Sequence, residues 1–247
     1  MFTYFPLFCF GGKAQKFFHQ MSEQGYNQDT IWDFYQNEMA ESFEGSSARI
    51  TYLLNQIPKG SRCLNIGVGS GILEYKAHQL GIDVYSLDPS DKSIQKLNEK
   101  FPKRATVGFS QEMPFENASF DCVIMSEVLE HLSDEVLTST IIEVRRVLKH
   151  GGVFIGTVPS NENLALNQIV SPSDGFVFHR WGHLQSFNKE RLKKMLTKSF
   201  SRTEVTEKLF VNWATLNWKG KVIGFLRLSA FYLGSPGAGR NLFFKAW

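Results

Sequence analysis

Cysteine is scarce, with three in 247 residues. Cys9, Cys63 and Cys122 are too few and too scattered for a disulfide framework or a cysteine zinc site, which points to a reducing, cytoplasmic compartment. No run of about 18 apolar residues exists, so no transmembrane helix is predicted. The apolar stretch MFTYFPLFCF lacks a basic leading region, which argues against a secretory signal. Charge of one sign is not in large excess. Twenty-seven Lys and Arg face 24 Asp and Glu, with no concentrated basic stripe and no added RNA-binding module, so nucleic acid is not an expected partner. A composition of 43% hydrophobic and 21% charged residues argues against a disordered or coiled-coil chain. The length fits one large domain that needs no staple. What is abundant is phenylalanine, with 22 residues, many of them before residue 58 or after residue 175. The expectation is that these aromatic additions roof and line a binding site.

The organisation divides at Pro58-Lys59-Gly60. Before it, Ile31, Phe34, Tyr35 and Met39, and then Ile50, Leu53, Leu54 and Ile57, recur at helical spacing. Residues 1–57 are therefore predicted to form a helical cap or lid, with 58–247 as the main domain. From Arg62, strands and helices alternate. Strands are predicted at 62–66, 83–87, 105–108, 120–125 and 153–158, with helices at 72–80, 92–101 and 134–148. This alternation implies a parallel sheet covered by helices on both faces, an α/β architecture. Residues 160–187 read as a long loop. A helix at 189–199 and strands at 203–210 and 241–246 complete the chain, with an apolar insertion at about 211–236.

The first strand runs into Gly67-Val68-Gly69-Ser70-Gly71. Glycines let the backbone turn tightly and let a ligand approach main-chain amides. Asp88, at the end of the next strand, can accept hydrogen bonds from both hydroxyls of a ribose. The spacing is GxGxG, with Ile72 where a dinucleotide site places its third glycine, so a nicotinamide cofactor is disfavoured. No GxxxxGK[ST] is present, which excludes a P-loop.

Five segments in order, Leu64–Gly71, Leu87-Asp88-Pro89, Gln111–Phe115, Ser119–Val123 and Val147–Gly152, resemble the motifs of class I S-adenosylmethionine-dependent methyltransferases. The resemblance covers about residues 45–160. It implies a Rossmann-like seven-stranded mixed sheet, six strands parallel and one antiparallel. It also implies S-adenosylmethionine as cofactor, released as S-adenosylhomocysteine. The implied cofactor contacts are Asn65, Gly67, Val68, Gly69, Gly71, Asp88, Pro89, Ser110, Gln111, Glu112 and Met125. Two positions depart from the family. Asn65 stands where an acid is usual, and Phe109 where an aspartate often accepts from the adenine amino group.

Ser126–Leu132 follows the fourth strand and faces the position of the methyl group. His131 is the first candidate for a base that takes a proton from an oxygen acceptor, with Glu130 holding it. A second reading places Glu127, Glu130 and His131 on one helical face, at i, i+3 and i+4, with His179 or His183 downstream, as a divalent-cation site. That pattern is similar to ubiquinone-pathway O-methyltransferases and to small-RNA 3′-end 2′-O-methyltransferases. The favoured expectation is no metal. Ser171–Gly175 is similar to a CPxCG knuckle whose cysteines are replaced by Ser171 and Asp174, so no zinc is expected there. Arg180 can clamp an anionic acceptor and Trp181 can stack on a ring, with Glu127 and His183 as further polar contacts.

The N-terminal aromatics Phe17, Phe18, Tyr26, Trp32, Phe34, Tyr35 and Phe43 are expected to close the site. Val222–Leu233, with Lys219, Lys221 and Arg227 around it, reads as a buried helix, a dimer contact, an acceptor-pocket wall or a membrane-surface element. The sequence supports a methyltransferase acting on the oxygen of a small-molecule acceptor, as a monomer or homodimer. The alternatives are an RNA 2′-O-methyltransferase and a non-catalytic protein that keeps the fold.

Overall fold

Cys63, Leu64, Asn65 and Ile66 are all buried, on both faces of their strand. A strand buried on both faces belongs in the middle of a sheet covered by helices. In a computed structural model that describes residues 28–235 and 239–247, β1 (Arg62–Ile66) is indeed central. Its neighbours are β2 (Asp83–Asp88) and β4 (Phe120–Ser126). The sheet continues outward through β3 (Ala105–Val107) on one side. On the other it continues through β5 (Leu148–Pro159), β9 (Arg240–Ala246) and β8 (Thr203–Leu209). The order is β3-β2-β1-β4-β5-β9-β8, and β9 alone runs antiparallel to its neighbours. The expected sheet of six parallel strands and one antiparallel strand is thus formed. The order reverses beside β1, between β2 and β4, and a ligand crevice opens there at the carboxyl ends of the strands.

The helices are α1 (Gln28–Asn37), α2 (Ser47–Leu54), α3 (Ile72–Gln79), α4 (Asp91–Lys100), α5 (Asp134–Val147), α6 (Lys189–Leu196) and α7 (Trp218–Tyr232). Ser90, Ser133, Asn188 and Asn217 cap four of them by accepting a backbone N–H three residues on.

Two local expectations change. The strand predicted from Val153 begins at Leu148, directly after α5, and Gly151 (φ 76°) sits within it. Gly151 and Gly152 are part of an irregular strand, with a register shift between Phe120 and Cys122 on the neighbouring strand. The predicted loop at 160–187 contains a hairpin, β6 (Gln168–Val170) with β7 (Val177–His179). Its strands are three residues long, below the length at which alternation can be read.

Much of the phenylalanine is core. Phe154 packs on Phe244 and Phe200 at centroid distances of 4.9 and 5.8 Å, and Phe187 is also buried. Of the aromatics expected to line a binding site, Phe187, Phe200 and Phe244 instead fill the space under β5, β9 and α6, whereas Trp32, Tyr35, Phe43, Trp181 and Phe210 do line the cavity. Phe17, Phe18 and Tyr26 lie outside the described residues.

Candidate active site

β1 ends at Ile66 and the chain turns through Gly67, Gly69 and Gly71, all with positive φ. At Gly67 (φ 87°) a Cβ would stand 2.7 Å from Val128 Cγ2, and at Gly69 (φ 56°) 3.1 Å from the Phe43 ring. Neither position accepts a side chain, and the main chain is left open to a cavity of about 1400 Å³. Asp88, at the end of β2, reaches across to this loop. Its Oδ2 accepts from Val68 N–H (2.8 Å) and from the Gln36 side-chain amide (3.2 Å), and its Oδ1 accepts from Ser90 N–H (2.9 Å). Burial outweighs these bonds and raises the Asp88 carboxyl above its ordinary range.

Asn65 lies beneath the loop. Its amide donates to the Gly67 carbonyl (3.1 Å) and to Glu74 Oε1 (2.7 Å), which also accepts from Ser86. The carboxylate expected at position 65 thus has a counterpart one layer back, in Glu74 of α3, which is buried and raised in pKa by that burial. Phe109, Ser110 and Gln111 line the cavity next to the loop, and the Ser110 hydroxyl is taken by Thr140 (2.7 Å). Three of the implied cofactor contacts do not reach the cavity wall. Met125 is fully buried inside β4, Gly71 starts α3, and Glu112 turns back against Phe109.

α1 lies over this side of the cavity. Gln28 donates to the His131 carbonyl (3.0 Å) and to the Gly182 carbonyl, and Gln36 bonds to Asp88 and Ser93. Trp32 and Phe43 line the cavity, whereas Phe34 is 48% exposed.

Only Leu129–His131 form a 3-10 turn after β4, and Glu127 takes a left-handed backbone (φ 58°). The single helical face expected for Glu127, Glu130 and His131 does not form. Glu127 turns toward Arg49 (3.8 Å) and accepts from the Asn241 amide (2.9 Å). Glu130 is buried, with neither carboxyl oxygen hydrogen-bonded, so it does not hold His131 as expected. Burial and the nearby Glu127 push its pKa well up.

His131 accepts the Trp32 indole N–H at Nδ1 (3.2 Å). Indole nitrogen only donates, so this contact leaves the imidazole proton on Nε2. The Gly182 carbonyl lies 3.3 Å from the same Nδ1 and receives the Gln28 amide. Burial and the adjacent His183 lower the His131 pKa to about 3. A base near neutrality was the expectation, and the structure makes this ring a neutral donor.

His183 carries the opposite tautomer. Its Nδ1 lies 2.5 Å from Glu162 Oε2, so Nδ1 donates, and in the neutral ring this leaves the lone pair on Nε2, at the cavity wall. Glu162 Oε1 also accepts from Asn167 (3.1 Å), and His179 Nε2 stands 3.4 Å away. Burial alone would raise the Glu162 carboxyl. The hydrogen bonds from His183 and Asn167, with the N–H edges of the two imidazoles turned toward it, outweigh that and hold it below its ordinary range. His179 Nδ1 accepts the backbone N–H groups of His183 (3.1 Å) and Trp181 (3.4 Å), which fixes its proton on Nε2.

Two clusters bring possible metal ligands together, Glu130–His131–His183 and Glu162–His179–His183, each with ligand atoms within 4.8 Å. In the second, both imidazoles turn N–H toward the carboxylate, so it does not fit a cation. In the first, a cation on His131 requires the proton to move to Nδ1 and Trp32 to turn away. Glu127 belongs to neither cluster.

Arg180, Trp181 and His183 all line the cavity, with the Arg180 guanidinium 5.0 Å over the Trp181 ring. Sequence reading missed Glu162, Gln36 and Arg49. Glu162 sits alone in an irregular stretch, and nothing in its spacing ties it to residues 17 and 21 positions later.

Residues 64–156 match a family model described as a methyltransferase domain. The chain is 33% identical over 99 residues to an uncharacterized methyltransferase of Synechocystis, covering 40% of this chain and 47% of that protein. It spans less than half the length of the first curated relatives it matches. It superposes on a Thermotoga maritima S-adenosylmethionine-dependent methyltransferase, titled a possible histamine N-methyltransferase. That match has TM-score 0.61 and 19% identity, over 88% of this chain and 98% of the other. It also superposes on the Burkholderia thailandensis 1,6-didemethyltoxoflavin-N1-methyltransferase solved with its substrate and S-adenosylhomocysteine. Here the TM-score is 0.61 and the identity 14%, over 89% and 85% of the two chains. The fold is that of the class I S-adenosylmethionine-dependent methyltransferases.

Proposed function

We propose that this chain, which carries a methyltransferase domain at residues 64–156, moves a methyl group from S-adenosylmethionine to an oxygen of a small-molecule acceptor. One arrangement supports the reading. The glycine loop and Asp88 open onto the same cavity as a histidine whose other ring nitrogen is held by a half-buried carboxylate.

The loop fits the cofactor because Gly67, Val68 and Gly69 line the cavity, with no side chain on either glycine to cover the main chain. Bound there, S-adenosylmethionine supplies an electrophilic methyl carbon and leaves as S-adenosylhomocysteine. Asp88 would accept from the ribose hydroxyls in place of the Gln36 amide, Phe109 would pack beside the adenine, and the backbone at Ser110 and Gln111 would read its edge. The acceptor lies between Arg180, Trp181 and the histidines. His183 Nε2 takes the acceptor's hydroxyl proton, while Glu162 steadies the ring and balances the imidazolium that forms. His131 donates from Nε2 and orients the acceptor. Alignment of donor and acceptor contributes about 7–11 kcal/mol, and closure by α1 keeps water away.

The test is calorimetry with S-adenosylhomocysteine, followed by methyl-labelled cofactor offered to panels of phenols, carboxylic acids and amines. Binding, with label on oxygen, is the expected result. No binding favours the non-catalytic reading. Label on nitrogen alone sinks the oxygen preference and matches the acceptors named for the two solved neighbours.

A further inference from the structure

Helix α7 turns a stripe of large apolar side chains to solvent. At ~100° per residue, Trp218, Val222, Phe225, Leu226, Tyr232 and Leu233 project within an arc of about 120°. All six are exposed, from 51% at Val222 to 86% at Leu233. The helix is seated by its opposite face. Gly224 is buried against Val211 and Trp213, and Gly220 packs on Leu216. A stripe of this size on a described surface marks an interaction site.

Charge identifies the partner. Lys219 and Lys221 fall on either edge of the stripe. Between Lys208 and Trp247 the chain holds Lys208, Lys219, Lys221, Arg227, Arg240 and Lys245 and no Asp or Glu. An apolar helix face edged by lysine, in a segment without acid, suits an anionic lipid surface. A second copy of the chain is a poor match, because a two-fold contact sets the same lysines against each other with no carboxylate between them. The helix lies on a bilayer and does not cross it. Its 15 residues rise ~22 Å against a hydrocarbon core of ~30 Å. Arg227 of the same helix, some 100° or more around from the stripe, lines the active-site cavity, so the helix stands beside the cavity while the stripe faces away from it.

We propose that α7 docks this protein on an anionic phospholipid surface. The stripe enters the acyl boundary, and Lys219 and Lys221 sit on headgroup phosphates. This docking does not depend on methyl transfer.

The experiment is flotation of the full chain with phosphatidylcholine vesicles, with and without phosphatidylglycerol. Binding to the anionic vesicles, weakened by salt, is expected. The Lys219→Glu/Lys221→Glu variant should bind them at least ~30-fold more weakly, at about fivefold per basic residue. Phe225→Ser/Leu226→Ser should also release the protein. Both variants change exposed residues, and circular dichroism with thermal unfolding checks that they fold. Equal binding to neutral and anionic vesicles overturns the proposal, as does no binding to either. Light scattering that shows a dimer lost in Phe225→Ser, without vesicle binding, assigns the stripe to self-association. A chain that floats with vesicles yet ignores S-adenosylhomocysteine keeps this inference and loses the methyltransferase reading.

Discussion

The rings of His131 and His183 meet edge to face, with centroids 4.6 Å apart and planes at 84°, yet they carry their protons on opposite nitrogens. Trp32 donates to His131 Nδ1, and Glu162 accepts from His183 Nδ1. One ring is therefore a fixed donor and the other a fixed acceptor, and the roles cannot be exchanged without moving Trp32 or Glu162.

In the proposed reaction this division makes His183 the base. His183→Ala should lower kcat by ~10²–10⁴-fold while leaving affinity for S-adenosylhomocysteine unchanged. Glu162→Gln should lower kcat less, because the ring keeps its nitrogen and loses its fixed tautomer. Steady-state kinetics beside calorimetry checks both. A kcat loss in His131→Gln larger than that in His183→Ala would return the base to His131.

In the proposed function Asp88 would hold the cofactor ribose with charge-assisted bonds worth ~1.5–3 kcal/mol each. Asp88→Asn should weaken binding of S-adenosylhomocysteine by roughly 10–150-fold, read by calorimetry. An unchanged Kd removes Asp88 from the site.

Gly67→Ala places a methyl 2.7 Å from Val128 at φ 87°. Strain of this kind costs on the order of 1–3 kcal/mol. The variant should lose that much stability in urea titration and bind the cofactor more weakly, because the loop shifts.

His131 is neutral and half-buried at the cavity wall, with a folded pKa of about 3 against 6.5 in the unfolded chain. Below 6.5 the unfolded state takes up a proton that the folded state refuses. This contribution is complete above about pH 6.5 and is lost as the pH falls toward 3. Between pH 6.5 and 5 it amounts to roughly 2 kcal/mol. Urea titrations at the two values should show a loss smaller by about that amount in His131→Gln than in the native chain. Equal losses would show that His131 is not buried as described.

The imidazole protons bear on the metal question too. Activity is expected to persist in EDTA, and plasma spectrometry of the purified protein should find no stoichiometric divalent cation. Loss of activity in EDTA with recovery on adding a cation would show that Trp32 turns away and His131 ligates.

The sheet was legible because its strands are short apolar runs between glycine turns and amphipathic helices, and such local patterns survive in the linear chain. The glycine loop and Asp88 were legible for the same reason, since each ends a strand. The region after Pro159 was not. Its hairpin has three-residue strands, and its key carboxylate, Glu162, is held by Asn167, His179 and His183 through side-chain contacts that no periodicity encodes. Glu127 was misread because an i, i+3, i+4 spacing brings residues together only in a helix, and the helical turn starts two residues later.

The sequence by itself determined the α/β sheet, the place of the glycine loop and the acid opposite it. Strand burial and turn chemistry act between near neighbours, so the order of residues was enough. Only the tertiary structure decided which histidine keeps a free lone pair, because a proton's position follows from a donor or acceptor ninety-nine residues away in one case and twenty-one in the other. It also decided that much of the abundant phenylalanine fills the core, while the stripe on α7 is left in water.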